Sequence, residues 1–224
     1  MNSYGRDYQI DHDIPNSFFR RILFQRFFML LRGMLFYGKK VFLGRNVRLL
    51  NKKNIHIGTN STIGKHSLVD GYAKSKVSIG NNSKIGPYSE VRCTSHFSKY
   101  GKGFTMGDNS ATGKFVFLGS AGGITIGNDV LIGEYSSFHS ENHNYSDPSK
   151  LIREQGVVSK GIVLGNDIWV GARVTFLDGA QIGDHCVVAA GSVVTEAFPS
   201  HVMIGGVPAK IIKKLATKED DKNR

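Results

Sequence analysis

Apolar residues recur along this chain in steps of six. Six triplets carry the pattern: Ile57/Ile63/Val69, Ile79/Ile85/Val91, Met106/Thr112/Leu118, Ile126/Ile132/Phe138, Leu164/Val170/Phe176 and Ile182/Val188/Val194. Most of these openers are followed by glycine, as in Ile57-Gly58, Ile85-Gly86, Ile132-Gly133 and Val170-Gly171. A period of six fits neither an α-helix nor a flat sheet. It predicts a parallel β-helix, an all-β solenoid in which three hexads make one turn of 18 residues with three flat sides. The opener of each hexad is expected to point inward. The glycine after it is expected to turn the corner, because glycine tolerates positive φ. Two places before the opener the chain is small or β-branched (Ser61, Ser67, Ser83, Ser89, Ser110, Val130, Ser136, Ala180, Cys186, Ser192), which suits a second, tighter interior slot.

The spacing between triplets is uneven. Beyond the regular six, it adds 4 residues before Ile79, 9 before Met106, 2 before Ile126, 20 before Leu164 and none before Ile182. Every insertion follows a third hexad, so all are expected at one corner of the prism. Tyr37, Leu43 and Leu49 extend the rhythm backwards into a weaker first turn, giving about six to seven turns. The organisation predicted is a helical segment over 1–36, a β-helix over 37–206 with a long loop at 139–161, and a short basic C-terminal helix with a frayed tail over 207–224. These end segments are the expected caps for the open sheet edges.

The net charge of +11 is concentrated at one end. Residues 17–53 hold ten Lys/Arg and no acid, whereas residues 54–209 hold twelve of each sign. Residues 17–36 read as an aromatic, arginine-bearing helix. A transmembrane span is disfavoured, since each central Arg costs about 2.5–3.5 kcal/mol. The segment begins too late for a signal peptide, and no small-residue cleavage site follows. Two readings stay open: packing over the β-helix end or a neighbouring subunit, and contact with an anionic membrane surface. Nucleic-acid binding is not expected, because no basic-aromatic platform occurs outside this hydrophobic stretch. Two cysteines make no disulfide framework and suggest a reducing cytoplasm.

Long loops on rigid scaffolds concentrate chemistry. The largest insertion reads His139-Ser140-Glu141-Asn142-His143-Asn144-Tyr145-Ser146-Asp147-Pro148. Spacing alone leaves a metal site, a general base and a pair of plain exposed histidines all open. The His139/His143 pair does not supply three metal ligands, and no metal is expected.

From Tyr37 to about Lys214 the chain resembles the hexapeptide-repeat acyltransferases. It is most similar to the branch with maltose and galactoside O-acetyltransferases and polysaccharide-biosynthesis O-acetyltransferases. The resemblance is narrowest over Ile162-Val163-Leu164-Gly165-Asn166-Asp167-Ile168-Trp169-Val170-Gly171, Ile182-Gly183-Asp184, Val188-Ala189-Ala190-Gly191-Ser192-Val193-Val194-Thr195 and Gly206-Val207-Pro208-Ala209-Lys210. It implies a left-handed β-helix, a homotrimer with active sites between subunits, and acetyl-CoA as co-substrate. In the family a loop histidine five residues past the preceding opener is the base; counted from Phe138, that is His143. Asn142, Glu141, Tyr145 and Trp169 would meet substrate, with Glu141 a candidate to orient the imidazole. Trp169, Ala172, Ala190, Gly191, Thr195, Lys210 and Lys213 would meet CoA.

The chain departs from the family pattern at Glu196, where a basic residue is common. It departs again at Gly113 and Ala121, near where galactoside-type enzymes bind sugar through Asn and Asp. The implied activity is O-acetylation of a sugar hydroxyl in bacterial surface-polysaccharide assembly, in the cytoplasm or peripherally at the inner face of the membrane. The insertion 93–103, with His96, Lys99 and Tyr100, is expected to help shape the acceptor pocket. N-acetylation of a nucleotide-linked amino sugar, serine or a drug is the alternative activity. A non-catalytic β-helix scaffold is the alternative class. A zinc β-helix hydratase would lack its ligand set.

Overall fold

In the computed structural model the described residues are 11, 13–94, 96 and 99–217, together with the backbone of the short strands Asn2–Ser3 and Arg6–Asp7. The tail expected from Glu219 to Arg224 lies outside them. The body is a left-handed parallel β-helix with three walls. Wall one runs from Ile55–Ile57 to Ala197–Phe198 and wall three from Arg48–Leu50 to Val193–Val194, each with seven strands. Wall two runs from Phe42–Leu43 to Val202–Gly206 and gains Ala209–Lys214 as an antiparallel ninth strand.

The openers stack in register from turn to turn. Ile57 lies opposite Ile79, Met106 opposite Ile126 and Ile126 opposite Leu164 on wall one. On wall three Leu49, Val69, Val91, Leu118, Phe138, Phe176 and Val194 form one unbroken column. All eighteen openers are buried. Thr112, the polar exception, accepts a 2.8 Å hydrogen bond from the Gly86 amide, which offsets the cost of its buried hydroxyl. Phe138 and Phe176 stack at 4.4 Å where the interior is widest in aromatic content.

The corners are built differently from the sequence expectation. The glycine after each opener has no positive φ; the left-handed residue is the one three past the opener. On the first two corners these are Asn46, Asn60, His66, Asn82, Tyr88, Asn109, Phe115, Asp129, Tyr135, Asp167, Arg173, His185 and His201. Asn and Asp tolerate this region comparatively well; the aromatic residues adopt it because the stacked turns hold them there. The glycines are required for lack of room. A Cβ on Gly86 would lie 1.8 Å from the Gly113 carbonyl oxygen, and one on Gly133 would lie 2.5 Å from the Ala172 nitrogen. Neighbouring turns come too close there to admit a methyl group.

The small-residue slots are also more than filler. The Ser61 hydroxyl donates to the Gly80 carbonyl (2.6 Å) and accepts from the Ser83 amide (2.9 Å). Ser83 repeats this with Gly107 and Ser110, and Ser110 with Gly127 and Val130. Each buried serine therefore joins two turns at a corner, where the backbone ladder is interrupted, and leaves no orphan donor.

Two end features differ from expectation. The N-terminal helix spans Asn16–Tyr37, with Pro15 before it and left-handed Gly38 closing it. Tyr37 thus ends the helix instead of opening a hexad, and its hydroxyl donates to the Ile55 carbonyl (3.0 Å) and accepts from the Ile57 amide (2.8 Å). The helix lies against Phe42–Leu43, burying Met29 and Gly33; a Cβ on Gly33 would sit 1.8 Å from the Val41 carbonyl oxygen. The expected C-terminal helix is instead a hairpin, Val202–Gly206 with Ala209–Lys214. The last parallel strand of wall two exposes an unpaired edge, and pairing it satisfies more backbone groups than a short isolated helix would.

The tightness of the corners is testable. Gly86→Ala is expected to cost at least about 1–3 kcal/mol of stability, read as a lower urea midpoint; an unchanged midpoint would show that the turns can part without loss.

Candidate active site

All the insertions leave the corner between walls three and one, where the left-handed residue has no fixed place: it is Asn51, Gly103, Gly123, Gly161 or Gly179 according to the length of the connection. The longest begins as Ser137–His139 leaves wall three and ends as Ile162 enters wall one. Between them Asn142–His143 pairs antiparallel with Val157–Val158, His143 opposite Val157. His143 is therefore on a short hairpin, with its side chain exposed.

The loop is pinned at both ends and inside. At its start the Ser140 hydroxyl donates to the Gly119 carbonyl (2.7 Å) and accepts from the Gly122 amide (2.9 Å). At its end the buried Asp178 carboxylate accepts from the Lys160 (2.8 Å) and Gly161 (2.7 Å) amides. Inside, Gln155 donates to the Asp147 carbonyl (2.9 Å) and accepts from the Asp147 amide (3.0 Å), while Asn144 donates to the Gln155 carbonyl (3.0 Å). Hydrogen bonds from the Ser149 hydroxyl and amide, then the Lys150 ammonium, hold the Asp147 carboxyl below its usual range.

Other sequence candidates fall at separate places. Glu141 is turned toward the smaller insertion, where Lys99 Nζ lies 3.3 Å from its Oε2. Lys99 also bonds the Ser159 hydroxyl, and Lys102 donates to the Ser159 carbonyl (3.1 Å). Lys99 and Lys102 thus brace the loop carrying His143. Below it is a cleft of about 350 Å³ lined by Leu50, Asp70, Tyr72, Thr94, His96 and Tyr100. His139 stays on the outside of wall three, its ring 5.6 Å from Phe117. Asn142 and Tyr145 are exposed on the loop.

Trp169 is 60% exposed on wall two, in register between Leu131 and Val187. Ala172, Ala190 and Gly191 follow at the next corner, where the Gly191 amide donates to the Ala172 carbonyl (2.9 Å). Thr195 is exposed on the far side of that corner. Lys213 lies opposite Met203 on the closing hairpin, and Lys210 is paired with Glu196 at 2.9 Å. Apart from Thr195, which lies past the last strand of wall three, these residues form a line along wall two and its edge toward the C-terminal end. Wall two is the wall that does not border the corner from which His143 projects. One chain therefore leaves His143 and the Trp169 line on different sides of the prism.

Sequence reasoning missed four contributors. Leu131 extends the apolar column below Trp169. Arg173 holds its guanidinium over Tyr135, 5.7 Å from the ring centroid, beside Ala172. Asp178 pins the loop. His185 contacts Asp167 through Nδ1 at 2.6 Å, at the corner between walls one and two. That last pair was readable from the 18-residue turn, which stacks positions three past Leu164 and Ile182; Leu131 was readable as an outward apolar residue one place before an opener.

Among the described residues no group of three His, Cys, Asp or Glu is arranged to hold a metal ion. Neither cysteine is poised as a nucleophile. Burial, with the Asp70 carboxylate adding to it, pushes the Cys93 thiol up to about 12, and burial also raises Cys186. Both thiols are expected to resist a thiol-specific disulfide reagent at pH about 8 in the native protein and to react on unfolding; rapid native reaction of either would contradict the placement.

Comparison with known proteins fits the geometry. The bacterial transferase hexapeptide (six repeats) family model matches residues 161–196. The chain is 37% identical over 123 residues to the "Putative lipopolysaccharide biosynthesis O-acetyl transferase WbbJ" of Escherichia coli K12, covering 51% of this chain and 63% of that one. It is 32% identical over 96 residues to galactoside O-acetyltransferase of the same organism, covering 43% and 46%. The matches span less than two thirds of these relatives. Among solved structures, a mutant of AntD, an N-acyltransferase from Bacillus cereus in complex with dTDP and coenzyme A, aligns with TM-score 0.52 at 20% identity, covering 86% of this chain and 93% of that one. That likeness is one of fold.

Proposed function

We propose that this hexapeptide-repeat protein is an acetyl-CoA-dependent O-acetyltransferase acting on a sugar hydroxyl in surface-polysaccharide biosynthesis. The observation that carries the reading is the pairing of two features of one scaffold. His143 stands on a pinned hairpin at the insertion corner, and an exposed Trp169 line runs along the opposite wall toward the cationic C-terminal hairpin. Its support from relatives is the similarity to a lipopolysaccharide-biosynthesis O-acetyl transferase and to galactoside O-acetyltransferase.

In this reading the chemistry is a direct transfer. His143 Nε2 or Nδ1 accepts the proton of the acceptor hydroxyl as its oxygen attacks the thioester carbonyl of acetyl-CoA. Backbone amides stabilise the tetrahedral oxyanion. The carbon–sulfur bond then breaks, the acetyl group stays on the sugar oxygen, and the imidazolium returns its proton to the departing thiolate. Trp169 flanks the thioester end, and Ala172, Ala190, Gly191 and Thr195 offer a narrow, largely backbone surface to the pantetheine arm. Lys213 faces the nucleotide phosphates; Lys210 does so only if they displace Glu196. Asn142 and Tyr145 face the acceptor. The cleft between Tyr72 and Tyr100 offers phenol rings and the Asp70 edge, surfaces on which sugars stack and hydrogen-bond.

His143 of one copy reaches the Trp169 line of another only in an assembly, and a homotrimer closes that contact symmetrically. The working compartment in this reading is the cytoplasm, with the aromatic N-terminal helix at the inner membrane surface. No helix among the described residues is long and apolar enough to cross a membrane.

Two measurements test the proposal. His143→Ala is expected to lower acetyl transfer about 10²–10⁴-fold, seen as loss of acetylated glycan by mass spectrometry of cells, with His139→Ala close to wild type. Unchanged acetylation in His143→Ala removes the base assignment. Light scattering is expected to give three chains per particle, and calorimetry to show CoA binding weakened about tenfold or more by Trp169→Ala, the scale of a buried aromatic contact. A monomer that binds CoA at full strength would refute the inter-subunit site.

A further inference from the structure

The two edges that border wall two share one backbone conformation and carry opposite chemistry. Between walls one and two the left-handed residues begin as Asn60, Asn82, Asn109, Asp129 and Asp167, types that tolerate this conformation. Asn60 donates to Asn82 and Asn82 to Asn109, both at 3.4 Å. Between walls two and three the same positions hold His66, Tyr88, Phe115 and Tyr135, at φ of 57, 57, 57 and 60°. Bulky residues are outliers there. The polar edge shows that stacking the turns does not require an aromatic residue at this place.

The four rings form one column. His66 and Tyr88 lie 5.1 Å apart and parallel to within 1°; Tyr88, Phe115 and Tyr135 follow at 5.0 Å steps, each tilted by 11°. Asn46 meets the lower end, its Nδ2 3.5 Å from His66 Nδ1, and the Arg173 guanidinium lies 5.7 Å from the Tyr135 ring at the upper end. Tyr88, Phe115 and Tyr135 are exposed, with Phe117 beside them on wall three and Leu131 on wall two. An apolar strip of three ladder spacings, about 14 Å, left in water marks an interaction surface.

The column itself selects the occupant. Tyr88 and Phe115 each have a ring on both sides. Their faces are covered and their rims point outward, so a sugar that stacks on an aromatic face finds little to stack on. Aromatic and arginine side chains are enriched where proteins meet. A straight strip repeating at the ladder spacing matches a partner that is also straight with the same repeat, and a second copy of this rod has that property.

We propose that copies of this chain meet along the edge between walls two and three, with the aromatic columns gathered around a three-fold axis parallel to the rods. The proposal rests on the homotrimer of the reading above and names the edge that holds it. It also orders the copies. With that edge at the axis, wall two of each copy faces wall three of a neighbour. Wall three ends at the insertion corner, so the neighbour's His143 loop comes to the outer margin of the wall that carries Trp169. The polar edge at the axis would also bring that corner near wall two. It would bury asparagine and aspartate side chains and leave the aromatic strip in water, unfavourable on both counts.

The test gives the aromatic edge the residue that the polar edge uses. Tyr88→Asn/Phe115→Asn/Tyr135→Asn suits the left-handed corner, so this full-length variant is expected to fold with the circular dichroism of wild type. Its trimer is expected to dissociate on dilution at a concentration at least about tenfold higher, read by sedimentation velocity. Asn60→Asp/Asn109→Asp sets like charges against one another if the polar edge is at the axis; it is expected to dissociate as wild type does. A triple variant assembled as tightly as wild type overturns the edge and leaves the homotrimer standing, whereas a monomeric wild type overturns both. Dissociation of the aspartate variant alone puts the polar edge at the axis and overturns the proposal. Hydroxyl-radical footprinting of wild type decides the matter if the triple variant does not fold. Tyr88, Phe115 and Tyr135 are expected to lose labelling in the trimer and regain it on dilution to monomers. Equal labelling in both states overturns the edge, and shielding that needs an added maltooligosaccharide assigns the strip to a sugar instead.

Discussion

The structure depends on how closely successive turns can stack. Openers pair with openers through every turn, so the backbone just after each opener meets its neighbour at the distance of a packed ladder. Gly86 and Gly133 leave no space for even a methyl group. That contact excludes insertion or drift on the two corners it occupies, and the serine column locks the same corners by hydrogen bonds between turns. All the inserted chain leaves at the remaining corner, between walls three and one, so variation in length is confined to one edge of an otherwise uniform rod.

That confinement explains the form of the candidate site. A loop of some twenty residues on a mobile base would place a histidine poorly. Here its first and last residues are hydrogen-bonded to turns that cannot move apart, through Ser140 and Asp178. The smaller insertion below it contributes Lys99 and Lys102 as struts. Rigidity is borrowed from the wall, and the loop is free to differ in sequence. The same geometry sets the cost: the loop leaves at one corner, and the Trp169 line runs along the wall that does not border it.

The fold was legible because its period is unlike that of any other architecture and is enforced at almost every turn. The openers of the six triplets and the small slots were read correctly from single residues, whereas Tyr37, read as an opener, ends the helix. The corner residue was misread because glycine has two separate uses, freedom of φ and absence of a side chain, and composition does not tell them apart. The C-terminal segment was misread because Ile211, Ile212 and three lysines fit a helix or a strand equally, and what decides is the unpaired edge of Val202–Gly206. At the site, counting from Phe138 separated His143 from His139, and the structure puts them on different surfaces. The Asp167–His185 pair, 18 positions apart, is one full turn of the repeat and was readable from it. The Lys99–Glu141 pair, 42 positions apart, joins two insertions that follow no period, and no local pattern announces it.

Charge and chemistry occupy different levels of the rod. The excess cations belong to the helix and first turns, and the loop with His143 leaves the fifth turn of wall three. Four ladder spacings separate turn one from that loop, about 19 Å at roughly 4.8 Å each. Whatever the charged end contacts therefore lies well away from the loop, and the two levels of the rod can be occupied at once.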